Sequence, residues 1–370
     1  MEVAWLFEYP TLHGGERSLL ACLPGLQSAG WRPLALAPAG GALAEELQRL
    51  GIEHLSFSVF DDRGQRLPRE ALRQKLATVL RHRRPELLHA NSLSMGRLAG
   101  PPSVRAGVPS ISHLRDIVRL SPAAVADLNA HTRLLAVSHA TRTFHLSQGV
   151  RGELCHVAYN GVDRDAFQPR PATGWLHCKL GLSGEVDLAV TIGQLVMRKG
   201  HDVLVRAAAR LRDAFPQLHW VIAGERFSQK AEAVQYETDL RTAIVTAGLA
   251  ERFHFLGTID RVAELLNEAK LLVHPARQEP LGRVLLEAAA SGVPCVATDV
   301  GGTREIFNAA QARLAPPGDD QALAAAVAGL MADAAERARL AAAARRRIAE
   351  AFDVRAAARV LAAHYSATVR

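Results

Sequence analysis

Leu271-Leu272-Val273-His274-Pro275-Ala276-Arg277-Gln278-Glu279-Pro280-Leu281-Gly282-Arg283-Val284-Leu285-Leu286-Glu287-Ala288 is the stretch on which the reading of this chain turns. Its first residues are apolar at successive positions, the mark of a strand covered on both faces. The strand ends at His274-Pro275, a loop carries Glu279, and Pro280 with Gly282 leads into a helix. The backbone amides near Leu281, Gly282 and Arg283 are then the unpaired donors of a helix N-terminus, a natural seat for phosphate. Glu279 lies just before that end and Glu287 more than a turn inside it. Acids are poor phosphate ligands, but they are good acceptors for the hydroxyls of a sugar and a ribose.

The same alternation of buried strand and helix extends in both directions. Residues 3–7, 33–37, 54–59, 86–89, 109–112, 133–137 and 154–158 read as strands in the first half. Residues 187–192, 218–223, 252–256, 270–274, 293–297 and 311–314 do so in the second. Strands separated by helical stretches predict an α/β fold with two doubly wound parallel sheets. Between them, residues 165–174 contain two prolines and a glycine and suit a hinge, which places a boundary near Pro171. The expected division is 1–170, 171–352 and a final helical segment 353–370. Ligands of open α/β sheets bind at the carboxyl ends of the strands.

Composition narrows the partners. The chain has 370 residues, 49% of them hydrophobic, so two cores can be filled. Lys and Arg exceed Asp and Glu by 44 to 37, a net +7 that favours anionic partners. Aromatic residues are only 5%, and no stacking motif accompanies the bases, so nucleic acid is not an expected partner. Cys22, Cys155, Cys178 and Cys295 lie far apart, which fits reduced thiols and a cytoplasmic setting. The first residues carry acids where a signal peptide carries bases, and no apolar run is long enough to span a bilayer. Residues 63–84 hold eight Lys/Arg and one acid with helically spaced leucines. That segment is a surface helix on its own sheet or, as the second option, a peripheral contact with the inner face of a membrane.

Glu279 and Glu287, with seven residues between them and Ala288-Ala289-Ala290-Ser291-Gly292-Val293-Pro294 after them, resemble the paired-glutamate motif of the retaining glycosyltransferases of family 4. Residues 296–305 continue the pattern. In that family the first glutamate meets the donor sugar and the second the nucleotide ribose, which the resemblance assigns to Glu279 and Glu287. Gly193-Gln194-Leu195-Val196-Met197-Arg198-Lys199-Gly200 is similar to the family's diphosphate loop. Lys199 matches, whereas Gln194 stands where the family has arginine, with Arg198 or Arg283 as the replacing cation. Gly14-Gly15 looks like the N-terminal glycine loop, and His113 stands near the end of a strand where the family often places a histidine close to the sugar. Residues 137–142 and 160–163 are also familial, although Tyr159 stands where proline is usual.

The resemblance implies the GT-B architecture, two Rossmann-like domains facing a central cleft, with the last helix crossing back to the first domain. It implies transfer of a sugar from a nucleotide diphosphate sugar to an acceptor hydroxyl, with retention and without a metal or any further cofactor. Glu279, His113, Arg198 and Lys199 are then the catalytic candidates. Gly14, Gly15, Leu281, Gly282, Arg283 and Glu287 are the substrate-binding candidates. Asp163-Arg164-Asp165 has the spacing of a metal-holding triplet of other glycosyltransferases, but it sits at the expected hinge. Two alternatives remain at this point: a nucleotide-sugar epimerase, and an inactive nucleotide-sugar-binding partner for which Gln194 speaks.

Overall fold

Thirteen strands form two parallel sheets in this computed structural model, which describes all residues from Met1 to Arg370. The first sheet contains β1 (Glu2–Leu6), β2 (Arg32–Ala37), β3 (Glu53–Ser56), β4 (Leu87–Ala90), β5 (Ser110–Leu114), β6 (Arg133–Ala136) and β7 (Cys155–Val157). Its order is β3-β2-β1-β4-β5-β6-β7. The second contains β8 (Asp187–Ile192), β9 (Leu218–Ala223), β10 (Phe253–Gly257), β11 (Leu271–His274), β12 (Cys295–Thr298) and β13 (Arg313–Ala315). Its order is β10-β9-β8-β11-β12-β13. Each strand coincides with one of the thirteen apolar runs to within about three residues at either end, the usual uncertainty of such boundaries.

Both orders reverse beside their first strand. In the first sheet β1 pairs with β2 on one side and β4 on the other. In the second, β8 pairs with β9 and with β11. A doubly wound sheet opens a crevice where the order reverses, at the carboxyl ends of the two strands involved. The loops after β1 and β4 border that crevice in one sheet. The loops after β8 and β11, residues 193–200 and 275–282, border it in the other. The topology alone therefore brings Lys199 and Glu279 to one place.

The chain divides into Met1–Gly161 with Val354–Arg370, and Val162–Asp353. The proline-containing segment around Pro171 lies inside the second unit. Its backbone is tied down there, because Thr173 N–H and Gly174 N–H donate to Glu268 at 2.7 and 3.0 Å. Arg170 N–H donates to Asn267. In the first unit Trp5, Trp31 and Tyr365 are fully buried, the Trp31 and Tyr365 rings meeting edge-on at 5.2 Å. The helix Val354–Val369 approaches the helix Leu23–Ser28 closely enough that a Cβ at Gly25 would lie 2.6 Å from the Ala358 methyl. The second core centres on Trp220, Leu204, Leu271 and Val296.

The basic stretch forms the helix Arg69–Arg83, which buries Leu72, Leu76 and Leu80. Three of its cations are paired within the same unit: Arg73 and Arg69 with Asp127 at 2.6 and 3.7 Å, and Arg83 with Glu53 and Glu2. The alanine-rich end forms two helices, Asp320–Ala332 and Ala334–Ala351. Asp333 separates them and caps the second by accepting the Glu336 N–H at 2.9 Å. No helix is long and apolar enough to cross a membrane.

Candidate active site

Glu279 is buried at the end of the loop after β11, and two donors converge on one of its oxygens. Lys199 Nζ donates to Oε2 at 2.6 Å, and His274 Nε2 reaches the same oxygen at 2.7 Å. Burial alone raises a carboxyl pKa. Here the Lys199 charge and the His274 hydrogen bond outweigh burial and hold Glu279 well below the usual carboxylate range. His274 is fully buried, and burial, partly opposed by the bond to Glu279, lowers its pKa. A neutral ring that donates through Nε2 has its proton there, which sets the His274 tautomer. Oε1 of Glu279 has no hydrogen bond within the protein.

Two glycines permit this convergence. Gly200 has φ +69°, and a Cβ there would collide with the Pro275 carbonyl oxygen. The loop bearing Lys199 can therefore lie directly on the end of β11. Gly302, in the loop after β12, presses on Pro280 and Leu281, and its N–H donates to the Glu279 carbonyl at 3.0 Å.

A second ionic contact braces the loop. Arg277 grips Asp202 with both terminal nitrogens at 2.6 Å and also reaches the Met197 carbonyl. Asp202 further accepts from Arg206 at 3.1 Å and from Tyr236 at 3.2 Å. Burial raises the Asp202 pKa, but these donors overcome it and bring it down to about 2. Bidentate pairs fix geometry as well as charge. This one joins the Glu279 loop to the start of the helix His201–Leu211.

The two candidates for the missing arginine differ in their commitments. Arg283 Nε is 2.6 Å from Glu287 Oε1, a contact one helical turn apart. Arg198 is exposed, and its guanidinium has no hydrogen bond or ion pair, while its carbonyl accepts the Arg277 N–H at 2.8 Å. Its main chain is held and its charge is uncommitted. Gln194 is half-buried in the loop after β8. Gly282 precedes the helix Arg283–Ala290 with φ +102°, and no side chain caps the helix start, next to the buried Leu281.

The first-unit candidates lie around the other crevice. Gly14 and Gly15 open the helix Gly14–Leu20. His113 is the last residue but one of β5, near the strand end as expected, and is 4% exposed. Its Nδ1 faces His89 Nε2 at 3.0 Å and receives Arg115 Nη2 at 3.2 Å. Arg115 is the residue at the exit of the strand. Asp163 Oδ1 accepts the N–H groups of Asp165 and Ala166, an Asx turn.

Sequence reasoning missed His274, Arg277, Asp202 and Arg115. His274 and Arg277 stand in the opening stretch, where a histidine closing an apolar strand was the available signal. Asp202 and Arg115 acquire their roles from partners far away in sequence, which spacing does not show.

Residues 12–166 match the family described as Glycosyltransferase Family 4, and residues 176–347 match the one described as Glycosyl transferases group 1. The lipopolysaccharide core biosynthesis mannosyltransferase of Rhizobium meliloti is 31% identical over 58% of this chain and 61% of its own length. The D-inositol 3-phosphate glycosyltransferase of Streptomyces scabiei is 26% identical over 67% of this chain and 60% of its own. The chain thus spans less than two thirds of either relative. Among solved structures, Anabaena HepE in complex with UDP is 26% identical, with a TM-score of 0.84 over 99% of this chain and 100% of that one. The same protein in complex with UDP-glucose is 25% identical, with a TM-score of 0.87 over the same shares.

Proposed function

Starting from a chain that belongs to the family 4 glycosyltransferases and has their GT-B fold, we propose that it transfers a sugar from a uridine diphosphate sugar to an acceptor hydroxyl, with retention at the anomeric carbon and without a metal. The observation that carries the reading is Glu279. It is ionised, held through Oε2 by Lys199 and His274, and open at Oε1 to a sugar hydroxyl. The complexes of HepE with UDP and UDP-glucose support the choice of donor.

In this reaction the bond between the anomeric carbon and the diphosphate oxygen breaks, and its electron pair leaves with the diphosphate. The acceptor oxygen forms its bond on the same face, and its proton passes to the departing phosphate oxygen. The protein then has two tasks, to orient the sugar and to meet the charge that builds on the diphosphate. Glu279 serves the first. Lys199, Arg198 and the amides at Leu281–Arg283 serve the second, and Glu287 receives the ribose hydroxyls. Free thiols at Cys22, Cys155, Cys178 and Cys295 support a reducing, cytoplasmic setting.

Incubation with a panel of nucleotide sugars and simple glycoside acceptors tests the proposal. The expected result is a glycoside whose anomeric configuration, read by proton NMR, equals that of the donor. Inversion would overturn the mechanism, and an epimerised or untouched donor would overturn the activity.

A further inference from the structure

A guanidinium drawn out of water normally has a carboxylate beside it, because desolvating an unpaired charge is costly. Arg115 is half-buried and has none within ion-pair distance; Glu16 and Asp116 act on it only from farther away. Its acceptors are all neutral. Nε donates to the Asn91 carbonyl at 2.9 Å, Nη1 to Asn160 Oδ1 at 2.8 Å, and Nη2 to Asn91 Oδ1 at 2.9 Å and to His113 Nδ1 at 3.2 Å. Four of its five N–H groups are thereby used, and one on Nη1 remains. Burial lowers the guanidinium pKa to about 10.

The neutral socket is itself held in one state. Arg115 can only donate, so His113 Nδ1 is an acceptor, and His89 Nε2, 3.0 Å from it, must carry a proton. Burial keeps His89 neutral, so its Nδ1 is unprotonated and accepts the Tyr365 hydroxyl at 2.6 Å. The Tyr365 oxygen in turn accepts the Trp5 indole N–H at 3.1 Å. Obligate donors close the chain at both ends, which fixes every tautomer and with it the aim of the guanidinium.

A second observation points to a ligand. Asn91 is 1% exposed and its Nδ2 has no hydrogen-bond partner, an orphaned donor next to a cation that makes no direct ion pair. Both lie under the glycine loop, because a Cβ at Gly15 would stand 3.2 Å from Arg115 Cδ and 3.8 Å from Asn91 Nδ2. The place is the crevice between β1 and β4, where this topology puts ligands.

We propose that Arg115, with Asn91 and under Gly15, is an anion receptor of the first unit that binds a phosphate group of a substrate. This deepens the transferase reading and rests on it only for the identity of the anion. The phosphate belongs either to the donor diphosphate or to a phosphorylated acceptor, and the probes separate the two.

In the wild-type protein, the Arg115 Nε–Hε resonance, assigned by its loss in Arg115→Lys, is followed during titration with UDP and then with inorganic phosphate added to the UDP-saturated protein. A saturable shift with UDP assigns the donor, and one that appears only with inorganic phosphate assigns a separate substrate. In either case Arg115→Gln should weaken that binding at least tenfold, and Arg115→Lys should recover part of it. No shift with either probe in the wild type overturns the receptor, and so does unchanged affinity in a folded Arg115→Gln. Failure of UDP to bind anywhere, seen as absent heat in calorimetry, would instead count against the nucleotide-sugar reading, and the phosphate titration would still decide on Arg115.

Discussion

Lys199 and Glu279 are eighty residues apart in sequence and 2.6 Å apart in space, joined at the crevice where the second sheet reverses its order. On the proposed reading, the pair sets the ammonium that meets phosphate against the carboxylate that meets sugar. Each holds the other in position.

Glu279→Gln should separate these two roles. Loss of the charged acceptor should lower kcat/KM for the nucleotide sugar by about 10²–10³-fold. UDP lacks the sugar, and with Lys199 released its affinity should hold or increase. A tenfold loss of UDP affinity by calorimetry would mean that Glu279 serves the nucleotide.

Glu287→Ala should weaken UDP by about 1.5–3 kcal/mol, the range for a hydrogen bond to a charged group. Because Arg283 sits on Glu287 at 2.6 Å, the effects of Arg283→Ala and Glu287→Ala should not add. A double-mutant cycle on UDP binding measures the coupling, and strict additivity would contradict a shared ribose contact.

Arg198→Ala should lower kcat/KM by about 10²-fold, comparable to removing one preorganised donor from a developing charge. Its uncommitted guanidinium is the reason to choose it over Arg283. A nearly silent Arg198→Ala beside a severe Arg283→Ala would transfer the role to the helix start.

Transfer should persist in EDTA. Asp163, the first acid of the DxD triplet, is engaged through Oδ1 in its own turn. Activity that vanishes on chelation and returns only with manganese or magnesium would contradict the proposal.

His201 sets a pH test of stability. It is fully buried, neither ring nitrogen has a partner, and burial with the nearby Lys199 lowers its pKa to about 3. Below the ordinary histidine value of about 6.5 the unfolded chain takes up a proton that the folded chain refuses until about pH 3. Stability therefore falls as pH drops through that window. In His201→Leu the loss of stability between pH 7.5 and 5.5 should be smaller by about 1.4 kcal/mol, measured by urea unfolding. An unchanged difference would mean that the native protein accepts the proton.

The strands were legible because both faces of a parallel sheet are covered, which writes each of them as a continuous apolar run. The order of strands was not written in those runs, since apolar residues do not name their neighbours. Glu279, Glu287 and Lys199 stood out as candidates from their local strings, and the structure brings Lys199 to Glu279. The bond of His274 to Glu279, the grip of Arg277 on Asp202 and the socket of Arg115 depend on residues brought together by topology, and spacing in one sequence does not show this. The contacts of the segment around Pro171 are of the same kind. Its prolines suit a hinge, and Glu268, nearly a hundred residues away, accepts the Thr173 and Gly174 N–H groups just after them.

Trp5 donates to a hydroxyl 360 residues later, and this has a consequence for synthesis on the ribosome. At about 5–20 residues per second, Tyr365 is made roughly 20–70 s after Trp5. Throughout that interval the first sheet lacks the helix that covers Trp5 and Trp31, while every residue of the second unit from Val162 to Asp353 precedes that helix. The unit translated first is thus the last that can finish folding. Its exposed tryptophans are the surface on which a nascent chain of this kind would need a chaperone.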